Sequence, residues 1–227
     1  MKEYVYFDSH IHINNDNSPD FFIDISKLSK TLKENSLDGC LATIHSKEET
    51  YIDDVKSIRK YCRGYTNIIP CVEVTQNIRF NESMINCHVM YMGCATDNDL
   101  NYGSWFCHVD KKGGLFYPYI SRSKSLSEVL ANNQKNKNNA QVSIAESTTD
   151  CSDVRFLKSL GLTVLLGTDS HVTKGKYYTS CLGTRGTIIK AKKFNYTTFM
   201  QALKDNSFGY FSVDDTFRES INCDLNL

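Results

Sequence analysis

The chain has 227 residues, 41% of them apolar and 23% charged, enough for one large core or two small ones. Lys+Arg and Asp+Glu both total 26, so the formal net charge is zero. That balance argues against a general polyanion binder and leaves room only for a local basic patch. No apolar stretch approaches the roughly 18 residues that span a bilayer. The start, MKEYVYFD, carries charge at positions 2, 3 and 8 and lacks an apolar signal core. The nine cysteines are an odd number without CxxC pairs, and Cys40, Cys71, Cys87 and Cys107 sit inside apolar runs. Small buried thiols in a reducing cytoplasm are expected, and zinc-thiolate sites are not.

The first apolar run, Tyr4 to Phe7, closes on Asp8, His10 and His12, with Asp16, Asn17 and Asp20 behind. FFIDISKLSKTLKEN then has apolar residues at Ile25, Leu28 and Leu32, a helical spacing, with Gly39 as its stop signal. DGCLATI reads as a strand, and ETYIDDVKSIRKYC as a second helix through Ile52, Val55, Ile58 and Cys62, ending at Gly64. NIIPCVEV, NCHVMYM and GSWFCHV follow as strands. Positions 121 to 141 are polar and rich in Asn and Lys. They predict a solvated loop or a lid carrying Lys124, Lys135 or Lys137. AQVSIAE is the next strand, SDVRFLKSLG a helix from Ser152 to Gly161, and LTVLLGTD the seventh strand. Strands alternating with helices predict a parallel α/β sheet, and seven strands over this length predict a closed or nearly closed barrel over residues 1–227.

Histidine decides the functional reading. All six (His10, His12, His45, His88, His108 and His171) fall within or just beyond a predicted strand. Glu73 adds a carboxylate to an apolar strand, where an unpaired charge costs several kcal/mol, and Asp169 precedes His171 by two. Taken singly, each residue has an ordinary structural explanation. Together they form a pattern, because parallel strands bring their C-terminal ends to one face. Residues two apart on a strand share a side, so His-x-His and Asp-x-His each direct two donors into one pocket. Imidazole with carboxylate suits Zn²⁺, Fe²⁺ or Mn²⁺, and more than four donors imply more than one ion.

In order, DSHIH, IH at His45, PCVEVT, NCHVMYMG, FCHVD and GTDSH resemble the motif series of the PHP (polymerase and histidinol phosphatase) family. The resemblance implies a distorted seven-stranded (β/α)7 barrel with its metal site at the C-terminal strand ends, and hydrolysis of phosphate esters. It implies one metal on His10, His12, Glu73 and Asp169, and a second on His45 and His171. A third would lie on His88 and His108, bridged by Glu73. A further ligand follows His12 in the family; the register offers Asp16 or Asn17, and Asp16 is the expected one. Two or three divalent ions (Zn, Mn or Fe) would activate water, with Glu73, Asp169 and His171 carrying the chemistry. Arg185, Lys174 and Lys176 are the cations expected to bind a substrate phosphate. The expected substrate is a phosphorylated small molecule or nucleotide. The alternatives are a nuclease acting on nucleic-acid ends or single strands, and a metal-binding regulatory module without turnover. FCHVDKKGG and the LGTRGTIIKAKKFNYTTFMQALKDN segment are similar to PHP proteins attached to ATPase modules. No GxxxxGK[ST] loop is present, so any ATPase would be a separate chain or a missing segment.

Overall fold

The computed structural model describes residues 2–15, 18–22, 24–47, 49–80, 83–92, 117–119, 144–147, 154, 158, 163–171 and 181–213. The predicted helix–strand rhythm holds in the first third of the chain. Strand β1 (Tyr4–His12) is followed by a short pair, β2 (Asn14–Asn15) and β3 (Ser18–Phe22), then α1 (Ile25–Glu34), β4 (Gly39–Ser46), α2 (Tyr51–Tyr61) and β5 (Ile68–Phe80). Asp24 caps α1 by accepting from the Ser26 backbone N–H at 2.8 Å, and Ile25, Leu28 and Leu32 form its buried face. β1, β4 and β5 run parallel.

Beyond β5 the architecture departs from expectation. β6 (Ser83–Met92) runs antiparallel to β5, with Phe80 opposite Ser83 and only two residues between them. A connection that short makes a hairpin and leaves no room for a crossover helix. β7 (Tyr117–Tyr119), β8 (Ile144–Ser147) and β9 (Thr163–Leu166) continue the sheet on that side. On the other side β10 (Arg185–Lys190) pairs antiparallel with β1, and β11 (Gly209–Ser212) pairs antiparallel with β10. Helix α3 (Tyr196–Asp205) joins these last two and carries a capping box of Asn195 and Thr198.

Among the described residues this makes one mixed nine-stranded sheet, ordered β11-β10-β1-β4-β5-β6-β7-β8-β9. The expected (β/α)7 barrel does not form. Four neighbouring pairs are antiparallel, and no ladder joins the two end strands. Among the described residues the backbone of the segment after β9 meets β1 at one bridge, Ile11 to Ser170, with the His12 N–H donating to the Ser170 carbonyl at 2.9 Å. GSWFCHV and the polar stretch at 121–141 lie outside the described residues. Of SDVRFLKSLG only Val154 and Lys158 are described, both helical.

Two cores lie on opposite faces of the sheet. Cys40, Ala42, Ile44, Val72 and Val74 pack with α1 and α2, whereas Leu41, Ile69 and Cys71 pack with Phe199 and Leu203 of α3. Such alternation is the period-two geometry of a strand buried on both faces. In β1 the alternation is broken by a bulge. Asp8 pairs with Cys40 and Ile11 with Ala42, so β1 carries one extra residue there. As a result Val5 and Phe7 join one core while Ile11 and Ile13, of the same parity, join the other. Gly39 also has a packing role rather than the expected helix-stop role. A Cβ there would lie 2.1 Å from Phe194 Cδ1 and 2.4 Å from the Asn67 carbonyl oxygen.

Among the described cysteines Cys40, Cys62 and Cys71 are buried, as their apolar settings predict. Burial pushes the Cys62 thiol up to about 12. It drives Cys40 well above its ordinary value, with a smaller contribution from the Asp8 charge. Thiolate is the reactive form, so these groups are protected chemically as well as sterically. Brief treatment of the native protein with iodoacetamide should leave Cys40, Cys62 and Cys71 unmodified in peptide maps. In denaturant all three should be alkylated. Native-state labelling of Cys62 would show that its setting is open to solvent. Among the described residues no helix is long and apolar enough to cross a membrane.

Candidate metal centre

The bulge in β1 positions the site. Past it, His12 pairs with Thr43, so it shares a face with His45, and His45 pairs in turn with Glu73. Three neighbouring parallel strands thus present His10, His12, His45 and Glu73 together. Asp169 and His171 arrive from beyond the end of β9. The strand alternation expected for Asp-x-His does not apply there, because Asp169 has φ +53°. Asp tolerates this left-handed conformation better than most residues, and strain of this kind is concentrated at functional sites. The turn brings His171 Nε2 to 3.1 Å from Asp169 Oδ1.

The donor atoms converge. Glu73 Oε2 lies 3.4 Å from His10 Nε2, 3.1 Å from His12 Nε2 and 3.5 Å from His45 Nε2. Asp169 Oδ1 lies 3.5 Å from His10 Nε2 and 3.3 Å from His12 Nε2. The two β1 imidazoles meet Nε2 to Nε2 at 3.0 Å. His45 and His171 both stack near His12, with ring centroids 4.3 and 4.0 Å from its own and 5.8 Å from each other. His10, His12 and Glu73 are at most 3% exposed, whereas Asp169 and His171 are 26% and 27% exposed. Two triads, His10–His12–Asp169 and His12–His45–Glu73, can therefore hold a metal ion.

Spacing provides the fit test. Ligands about 2.1 Å from a tetrahedral ion lie about 3.4 Å apart along each edge. His10 and His12 lie 3.0 Å from each other and 3.1–3.5 Å from the Glu73 and Asp169 carboxylates, separations that match such edges. The donor set is also right, since imidazole with carboxylate is the chemistry of zinc, iron and manganese. Electrostatics agrees. Burial alone would raise the Asp169 carboxyl, but hydrogen bonds from His12 and His171 and the nearby imidazoles hold it well below the usual carboxylate range. His12 Nδ1 is buried without a hydrogen-bond partner, so this ring is oriented from its Nε2 side.

A second layer, unread in the sequence, holds the first. Asp8 is fully buried. Its Oδ1 accepts from the His10 N–H at 3.0 Å and the Thr168 N–H at 2.9 Å, and its Oδ2 from the Thr168 hydroxyl at 2.6 Å. The Thr168 proton being used there, the Ser170 hydroxyl donates to Thr168 Oγ1 at 2.6 Å. Asp8 thereby ties the strand bearing His10 to the turn bearing Asp169. Its place at the end of an aromatic run, two residues before His10, was the available signal.

The other expected site residues are placed less fully. Of His88 only the backbone is described, in β6 opposite Thr75. Arg185 opens β10, two residues before Thr187, which pairs with Phe7; the strands being antiparallel, it lies towards the His10 end of β1. His108, Asp16, Asn17, Lys174, Lys176 and the loop lysines Lys124, Lys135 and Lys137 lie outside the described residues. The third metal, which needs His108, and the choice between Asp16 and Asn17 therefore lie outside the described residues. No protein-family model matches the sequence, and no curated protein matches it.

Proposed function

We propose that the chain is a metal-dependent phosphoesterase, of the kind its PHP-like motif series implies, working with two or three zinc, manganese or iron ions. The single observation that carries this reading is that His10 and His12 each lie at ligand-to-ligand distance from both Glu73 and Asp169, donors drawn from three separate segments. Bound there, divalent ions supply Lewis acidity, lowering the pKa of water from about 15.7 towards roughly 7 and offsetting phosphoryl charge. The protein's part divides by depth. His10, His12 and Glu73 are closed off from solvent and hold the centre rigidly. Asp169 and His171 are partly exposed and hydrogen-bonded to each other, so His171, backed by the Asp169 carboxylate, would pass a proton to a leaving alkoxide. Arg185, at the same end of β1, is the described candidate for holding a substrate phosphate.

Protein purified without chelators should contain two or three equivalents of transition metal by elemental analysis. Added Mn²⁺ or Zn²⁺ should activate hydrolysis in a screen of p-nitrophenyl phosphate, bis(p-nitrophenyl) phosphate, nucleotides and short labelled DNA and RNA. Activity confined to the labelled strands would favour a nuclease over a phosphomonoesterase. Metal without turnover would make it a regulatory module, and neither metal nor activation would overturn the reading.

A further inference from the structure

The opposite end of the sheet holds a second site. A cleft of about 880 Å³ opens beside the first three residues of β5, between the last turns of α2 and the start of α3. Ile68 is level with Cys40, as Glu73 is with His45, so the cleft lies at the N-terminal strand ends. Five residues separate Ile68 from Glu73, about 16 Å of strand. The cleft is therefore separate from the metal centre.

Charge distinguishes this cleft. Lys56, Arg59, Lys60 and Arg63 line it from α2 and the turn that follows, and Lys193 lines it from a segment some 130 residues later in the chain. None of its described lining residues is acidic, in a chain whose net charge is zero. Lys56 also pairs with exposed Asp53 at 3.1 Å, a contact of little energetic weight. Basic residues in the last turn of α2 complement that helix's C-terminal dipole, which accounts for Arg59 and Lys60. It accounts for neither Lys193 nor the convergence of two segments on one concavity. Tyr65 and Tyr196 also line the cleft, each half-buried and packed on a different one of the two cores. Two rings held firmly beside clustered cations suit a flat base attached to phosphates.

We propose that this cleft binds a nucleoside polyphosphate, with its phosphates on the Lys56–Arg63 and Lys193 cations and its base against Tyr65 and Tyr196. A free nucleotide and the end of a nucleic-acid strand share this chemistry. The test is calorimetric titration of the full chain with ATP, with inorganic triphosphate and with a short oligothymidylate. EDTA is present throughout, to remove metal-mediated phosphate binding at the other site. ATP should bind saturably and more tightly than triphosphate. Lys60→Glu/Arg63→Glu should weaken it by at least about tenfold, since like charge then faces the phosphates. Lys193→Glu should do so independently, and in a separate assay with added Mn²⁺ and no EDTA, hydrolysis of a generic ester at the metal centre should persist in both variants. Oligothymidylate that competes with ATP and binds more tightly would assign the same site to strand ends. The proposal is overturned if neither nucleotide probe binds, if charge reversal leaves binding unchanged, or if triphosphate binds as tightly as ATP.

Discussion

Glu73→Gln should abolish most metal-dependent hydrolysis while leaving the protein folded. One oxygen of this carboxylate, itself only 3% exposed, faces three imidazoles at 3.1–3.5 Å. An amide is nearly the same size, so packing survives, but it carries no charge to hold a cation between those rings. The loss should exceed the roughly 10–100-fold typical of removing an outer partner of a metal ligand. Bound metal should fall by at least one equivalent. Arg185→Ala makes the contrast, mainly raising KM, as expected for a group that binds phosphate equally in ground and transition states. Parental rates in Glu73→Gln, measured with circular dichroism confirming the fold, would remove the centre as the seat of activity.

The largest stability effect should come from Asp8→Ala. This substitution strips two backbone N–H groups, of His10 and Thr168, of their acceptor in a site without solvent. Each orphaned donor costs about 1–3 kcal/mol, so Tm should drop by roughly 10 °C for a chain of this size. Asp8→Asn keeps an oxygen for the two N–H groups and can donate its amide to Thr168 Oγ1, so it should lose much less. Metal affinity should weaken alongside Tm in the alanine variant, because Asp8 links the strand of His10 to the turn of Asp169. Equal melting of Asp8→Ala and wild type would mean that the network contributes nothing.

The sequence was most legible where one physical rule governed a stretch. The β1–α1–β4–α2–β5 unit followed from period-two and helical spacing, and the convergence of its His10, His12, His45 and Glu73 side chains followed from where parallel strands end. The bulge between Asp8 and Ile11 was not legible, although it decides which face His10 and His12 occupy. A slip of one residue reverses a strand's faces, and SHIH reads the same with or without it. The β5–β6 hairpin was missed because polar Thr75 to Asn77 looked like the end of a strand, whereas β5 runs on to Phe80. Helix α3 was readable but passed over. Asn195 as its cap and Phe199, Ala202 and Leu203 at helical spacing carry the full signal.

The tie between Asp8 and Thr168 joins points 160 residues apart. Closing a loop of that length costs on the order of 4–5 kcal/mol in chain entropy. Ions held jointly by His10 and Asp169 would close the same loop, acting as a reversible cross-link between early and late parts of the chain. Metal supply would then govern how long the folded protein survives as well as how fast it works, since each ion at a hundred times its Kd adds about 2.7 kcal/mol to the folded state.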